Sequence, residues 1–224
     1  MLDSELNRWW RAGVPLVAPF VRLLFRVRVE GTEHVPLRGS AILAFDHVSV
    51  LDGPVLAVVT ARRIRRESRF LVAAEAFRIP LIGWILRAYD QIPIRRGEGD
   101  VGALDLAIAA VRSGALAAIA PEGRVSEDPE QGLQRVRTGV ARIALPTGAP
   151  VIPVGIWGTQ LRWPRTGLRL TRPWRPRVAI AFGSPILPVG EDTAPNEIES
   201  LTVRVRDSLA RQVARAREVA GGAA

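Results

Sequence analysis

The stretch Ala41-Ile42-Leu43-Ala44-Phe45-Asp46-His47-Val48-Ser49-Val50-Leu51-Asp52-Gly53-Pro54 changes character twice. Residues 41–45 form an unbroken apolar run, too short for a helix and without a wet face, so they read as a buried strand. Asp52, Gly53 and Pro54 then open a helix over residues 54–60, since proline in a first turn removes only an N–H that has no intrahelical partner. Between strand and helix lies a polar turn carrying an imidazole, a hydroxyl and two carboxyls.

The same alternation continues outward. Short apolar runs at 69–73, 91–94, 115–120, 150–157 and 177–182 read as strands. Longer patterns at 75–89, 101–113, 138–145 and 196–220 read as helices, the first despite Pro80. This order predicts an α/β fold: a single domain over residues 31–220, with a central, mostly parallel sheet flanked by helices.

Hydrophobic residues at 48% and charged residues at 24% exclude a wholly disordered chain among these 224 residues. Cysteine is absent, which excludes disulfides, cysteine-ligated zinc, iron–sulfur clusters and thiol nucleophiles. The net charge is +9, and all 31 basic residues are arginine. Arginine grips phosphate bidentately and keeps its charge, so an anionic partner is expected: nucleic acid, anionic lipid or a phosphorylated small molecule. Codon usage alone can also replace lysine by arginine, so the placement of these residues carries the information, not their total.

Residues 1–30 interleave Trp9, Trp10, Leu16, Phe20, Leu23 and Leu24 with Arg8, Arg11, Arg22, Arg26 and Arg28. That mixture suits a bilayer's headgroup boundary and predicts an N-terminal amphipathic membrane-associating segment. The alternative is a helix packed on the domain's own core. No apolar run approaches the roughly 18–20 residues of a spanning helix, and no secretory signal pattern is present. The expected location is the cytoplasmic face of the cell membrane, peripheral or monotopic. Two further basic stretches stand out, at 62–69 and at 162–177, the second setting Trp163 and Trp174 among arginines and prolines.

His47 and Asp52 are five positions apart, and five steps of about 100° cannot bring them together on a regular helix. A strand-to-helix turn can. Asp52 would then accept the Nδ1 proton of His47, leaving Nε2 as a general base. The alternative is an ordinary helix cap beside a merely hydrogen-bonded histidine. His34 has no comparable aspartate in its neighbourhood and reads as structural.

Four blocks in order resemble the glycerolipid acyltransferases, the family of bacterial 1-acylglycerol-3-phosphate acyltransferase, over about residues 40–160. The first is Asp46-His47-Val48-Ser49-Val50-Leu51-Asp52, matching the family's histidine, four residues, aspartate motif, although asparagine is commoner where Asp46 stands. The second ends in Ile92-Pro93-Ile94-Arg95-Arg96, similar to a strand ending in a phosphate-binding arginine, here Arg96. The third is Pro121-Glu122-Gly123-Arg124, and the fourth is Val151-Ile152-Pro153-Val154-Gly155, with Gly158-Thr159 beyond. Ala74 precedes Glu75 where many relatives have lysine, and Arg124-Val125 replaces a common threonine-arginine.

The resemblance implies a glycerol-3-phosphate acyltransferase-like fold and transfer of a fatty acyl group from acyl-CoA or acyl-carrier protein to the hydroxyl of a lysophospholipid. The acceptor is expected to be 1-acylglycerol-3-phosphate, giving phosphatidic acid; another lysophospholipid or a glycolipid is the alternative. His47 and Asp52 take the catalytic roles, with Arg96, Glu122, Gly123 and Arg124 on the substrate. Arg96 and Arg124 would hold phosphate by paired hydrogen bonds, and Glu122 would orient acceptor hydroxyls or hold the arginines. Amides of Val48, Ser49 or Gly123 are candidates for the oxyanion. No metal or redox cofactor is implied, the thioester being a co-substrate.

Phe77, Ile79, Leu81, Ile82, Trp84, Ile85 and Leu86 suggest an acyl-channel wall, with core packing as the alternative. The loop at 162–177 would rest on an anionic membrane surface or receive an acidic carrier. Two other classes are weaker: an arginine-rich binder of membrane or nucleic acid leaves the ordered turn motifs unexplained, so no nucleic acid is expected. An esterase would need the missing Gly-x-Ser-x-Gly elbow.

Overall fold

In the computed structural model, residues 6–95, 101–170, 173–190 and 194–222 are described. In chain order the elements are α1 (Arg8–Leu24), β1 (Arg26–Glu30), β2 (Ala41–Phe45), α2 (Asp52–Val59), β3 (Ser68–Ala73), α3 (Pro80–Ala88), β4 (Ile92–Ile94), α4 (Val101–Arg112), β5 (Leu116–Ile119), α5 (Gly139–Thr147), β6 (Val151–Trp157), β7 (Arg177–Phe182) and α6 (Pro195–Gly221). The strands form one sheet in the order β1-β7-β6-β2-β5-β3-β4, parallel at every pairing except β6 with β7.

Strand β2 lies at the centre because its five residues are apolar on both faces, as a strand covered by helices above and below requires. Its side chains alternate: Leu43 and Phe45 join a core with Leu56, Ile156 and Ile180, while Ile42 and Ala44 join one with Val111, Ile143 and Val205. Helices α1 and α2 cover the first face, and α4, α5 and α6 cover the second. Ile198, Leu201, Val205, Leu209 and Val213 recur at three- and four-residue spacing, which is the stripe that seats α6 on the sheet. Five parallel strands thus share one carboxyl edge, and the turn after β2 opens onto it.

Several expectations need correction. The boundary after residue 30 cuts the sheet, because Arg26–Glu30 pairs in register with Arg177–Ala181 as the edge strand β1. The helix expected over 75–89 is divided: Ala74–Arg78 is a 3-10 turn, and α3 begins at Pro80, where the proline lacks only an unneeded N–H. Ile79, Leu81, Ile82, Trp84 and Ile85 are exposed, so this face of α3 is not packed into the core. In the basic run 62–69, Arg66 is buried and donates to the carbonyls of Pro36, Gly39 and Gly114, tying three loops together.

Gly155 shows how tightly α6 sits. A Cβ there would lie 2.1 Å from the Gln212 carbonyl oxygen, a backbone atom that cannot turn aside. Gly155→Ala is expected to cost about 2–3 kcal/mol by forcing helix from sheet, read as a lower midpoint in urea unfolding.

Candidate active site

The side chains of the turn after β2 converge on the buried carboxylate of Asp52. Asp52 opens α2, but its side chain turns back instead of capping the helix. Its Oδ2 accepts from His47 Nδ1 at 3.0 Å and from the Ser49 amide at 2.7 Å, while Oδ1 accepts from the Thr159 hydroxyl at 2.5 Å. A carboxylate oxygen only accepts, so Nδ1 carries the imidazole proton and Nε2 presents a lone pair. The His47 side chain is 20% exposed, and its Nε2 has no protein partner among the described residues. The ring stands edge-on to Phe45, their centroids 5.9 Å apart, which fixes its plane without burying it.

The main chain of His47 is braced on both sides. Its amide donates to Glu122 Oε1 at 2.9 Å, and its carbonyl accepts from the Ser126 amide at 2.6 Å. Glu122 Oε2 takes the Gln134 amide at 3.0 Å, so both of its oxygens serve the backbone. In this structure Glu122 clamps the turn through both oxygens. Burial raises the Glu122 carboxyl above its ordinary range, partly offset by those amides.

The three amides considered for an oxyanion are now distinguishable. The Ser49 N–H is spent on Asp52 and the Gly123 N–H on the Ala120 carbonyl at 3.0 Å. The Val48 amide donates to no protein group among the described residues and adjoins His47 in the chain. Gly123, at φ +73°, gives room for a neighbour: a Cβ there would come within 3.4 Å of Arg137 Nε. Arg137 thus borders the Pro121–Gly123 turn, brought there by the fold from outside any motif. Arg124 points to the surface, 59% exposed and 3.9 Å from Glu127. Arg96 lies outside the described residues.

Thr159, Ser126 and Gln134 join the site from outside the motif's chemistry, and only Thr159 has a sequence cue, standing just past a strand on the same sheet edge. Ser49 adds a second tie, donating its hydroxyl to the Trp163 carbonyl at 2.7 Å. No group of three or more histidine and acidic residues placed to hold a metal occurs among the described residues.

An acyltransferase family model matches residues 26–157, more than half of the chain, and the chain belongs to that family. It is 27% identical over 138 residues to the chloroplastic 1-acyl-sn-glycerol-3-phosphate acyltransferase LPAT1 of Arabidopsis thaliana, covering 60% of this chain and 37% of that protein. It is 31% identical over 156 residues to lyso-ornithine lipid O-acyltransferase of Pseudomonas aeruginosa, covering 69% of this chain and 54% of that one. The crystal structure of the 1-acyl-sn-glycerophosphate acyltransferase PlsC from Thermotoga maritima superposes with a TM-score of 0.71 at 26% identity, over 97% of this chain and 84% of the other. The chain spans about two fifths of the length of the plant relative.

Asp46 is the third acid here. It is buried, its Oδ1 accepts from the Ile156 amide at 2.6 Å, and its Oδ2 has no partner among the described residues. Burial, reinforced by the nearby charge of Asp52, holds its carboxyl well above the ordinary range. A raised folded-state value means the folded chain binds the extra proton, so stability falls as pH rises from the usual carboxylate range toward the raised value. Asp46→Asn keeps the acceptor and removes the ionisation. It is expected to raise Tm by about 2–4 °C at alkaline pH, with the gain vanishing near pH 4 in thermal scans.

Proposed function

We propose that this chain transfers a fatty acyl group from a CoA or carrier-protein thioester to the free hydroxyl of a lysophospholipid, 1-acylglycerol-3-phosphate being the leading acceptor. The observation that carries this reading is the His47–Asp52 contact, with Nε2 directed away from its carboxylate partner. Nε2 takes the hydroxyl proton as the acceptor oxygen attacks the thioester carbonyl. The Val48 amide donates to the oxygen on which charge develops. Collapse of the tetrahedral adduct breaks the carbon–sulfur bond, and the imidazolium returns its proton to the departing thiolate. Asp52 holds the tautomer and offsets the transient positive charge. These steps draw on the chain's own residues and a thioester co-substrate, without a metal or redox group.

Arg96 and Arg124, expected from the sequence, together with Arg137, are assigned to the acceptor's phosphate, where guanidinium groups match its oxygens in pairs. His47→Ala is expected to lower kcat by about 10²–10⁴-fold in a chain that still folds cooperatively, with a lowered Tm from the donor that Asp52 loses. Arg124→Ala should chiefly raise the KM for the phosphorylated acceptor. Mass spectrometry of products from mixed acyl donors and a lysolipid panel reads both substrates together, and full turnover by the His47 variant would refute the mechanism.

Membrane contact belongs to the same proposal. Leu16, Phe20 and Leu23 of α1 are exposed, as are Leu81 and Trp84 of α3, and Trp9 meets Trp84 edge-on at 5.2 Å. Trp10, Ala18 and Val21 turn inward, so α1 is both docked on the domain and apolar outside. No helix among the described residues is long and apolar enough to cross a membrane. This arrangement supports peripheral contact with a membrane surface, which we assign to the cytoplasmic leaflet as part of the same proposal. Phe20→Ser combined with Leu23→Ser is expected to reduce co-sedimentation with anionic vesicles while leaving Tm within about 2 °C, because both side chains already face water.

A further inference from the structure

A cleft of about 550 Å³ opens beside the candidate active site and outside it. Its floor includes Trp157, the last residue of β6, and its walls include Arg26 and Arg177, the first residues of β1 and β7. Strand β7 runs opposite to β6 and β1 runs with β7, so these starting residues reach the edge where β2 ends. With strands about 4.8 Å apart, the cleft lies roughly 5–15 Å along that edge from the turn bearing His47.

The cleft is strongly basic. Arg217 lies over the Trp157 ring at 4.8 Å from its centroid and pairs with Glu130, and Arg177 donates to the Gly222 carbonyl. Arg26 and Arg175 have no acidic partner among the described residues. Arg175 also takes φ +53°, a conformation easy for glycine and costly for arginine. Beside it Trp174 is 77% exposed, presenting an indole to the cleft mouth.

We propose that this cleft binds the phosphorylated adenine nucleotide of a coenzyme A thioester. The inference rests on the acyl-transfer reading and deepens it by choosing the donor's handle. The volume suits a ligand of nucleotide size. The unpaired guanidinium groups match phosphate oxygens bidentately, and an exposed indole is a platform on which a purine stacks. Position supplies the last element: Gly158 lines the cleft, and the next residue, Thr159, donates to Asp52. The chain thus passes from the cleft to the Asp52 tie within two residues, and a pantetheine arm leaving the α6 face would cross the sheet edge to reach His47. The exposed Trp174 ring beside these arginines favours a purine nucleotide over a folded acidic carrier.

The test uses the full chain and two variants, Arg26→Ala combined with Arg175→Ala, and Trp174→Ala, none of which removes an ion pair. Calorimetric titration with CoA, with 4′-phosphopantetheine and with inorganic phosphate is joined to kinetics using acyl-CoA, acyl-carrier protein and an acyl-N-acetylcysteamine thioester. The expected result is a rise of about tenfold or more in both the Kd for CoA and the KM for acyl-CoA. With it, kcat stays within about twofold and the truncated thioester is used as by the parent chain. Unchanged CoA binding overturns the proposal, as does an equal loss with the truncated thioester, which marks a structural effect. A loss confined to the carrier-protein donor assigns the cleft to an acidic protein, and one confined to vesicle co-sedimentation assigns it to lipid headgroups; either overturns the proposal. If inorganic phosphate or phosphopantetheine binds as tightly as CoA, the nucleotide is not what the cleft reads. Should no donor be consumed, the acyl-transfer reading fails while the CoA titration still decides the cleft.

Discussion

A carboxylate taken fully out of water costs several kcal/mol unless its oxygens are met by donors. Asp52 is in that position, and its three donors come from the His47 ring, the Ser49 amide and the Thr159 hydroxyl. The first two belong to the turn after β2 and the third to the segment after β6, so satisfying one buried oxygen pair ties two strand ends together. Its place in the first turn of α2 adds the favourable helix dipole. The orientation of the imidazole is thereby a property of the sheet edge, not of one flexible side chain. Ser49 extends the same tie by donating to the Trp163 carbonyl, so the loop that follows β6 cannot shift without disturbing the turn.

Three acids crowd this edge, and the structure treats each differently. Asp52 receives three donors, Glu122 receives two backbone amides, and Asp46 receives one. The gradient matters because like charges in a poorly solvated site repel. Burial raises the carboxyls of Asp46 and Glu122, which favours their neutral forms and lessens the charge opposing Asp52. A neutral carboxyl at position 46 offers the Ile156 amide the acceptor that an asparagine would offer.

The strands and the His47–Asp52 pairing were legible in the sequence because each is local. An apolar run of five has few alternatives once helix length is excluded, and a five-residue spacing forms a contact only in a turn. What escaped notice is non-local or shares a pattern with something else. Arg26–Glu30 alternates half-buried and exposed residues as an edge strand does, but its mixture of valine and arginine also fits an amphipathic membrane segment. Thr159, Ser126 and Gln134 reach the turn from distant parts of the chain, and residue type alone gives no reason to choose them. The apolar residues of α3 carried a helix period yet no indication that their face would stay outside.

The arginines resolve into distinct populations once their partners are known. Arg66 is buried and serves three carbonyls, Arg215 joins Glu30 across the α6–β1 boundary, and Arg217 is held by Glu130 and Trp157. Arg26 and Arg175 are left to face the cleft. The exposed apolar face of α1 ends at Leu23, only three positions before Arg26, so one short segment passes from hydrocarbon-compatible surface to anion-compatible surface. A fatty acyl thioester has the same division, an apolar chain at one end and phosphates at the other. On the proposed reading, the reacting carbonyl belongs between those ends, and the turn bearing His47 stands on the sheet edge beside that transition.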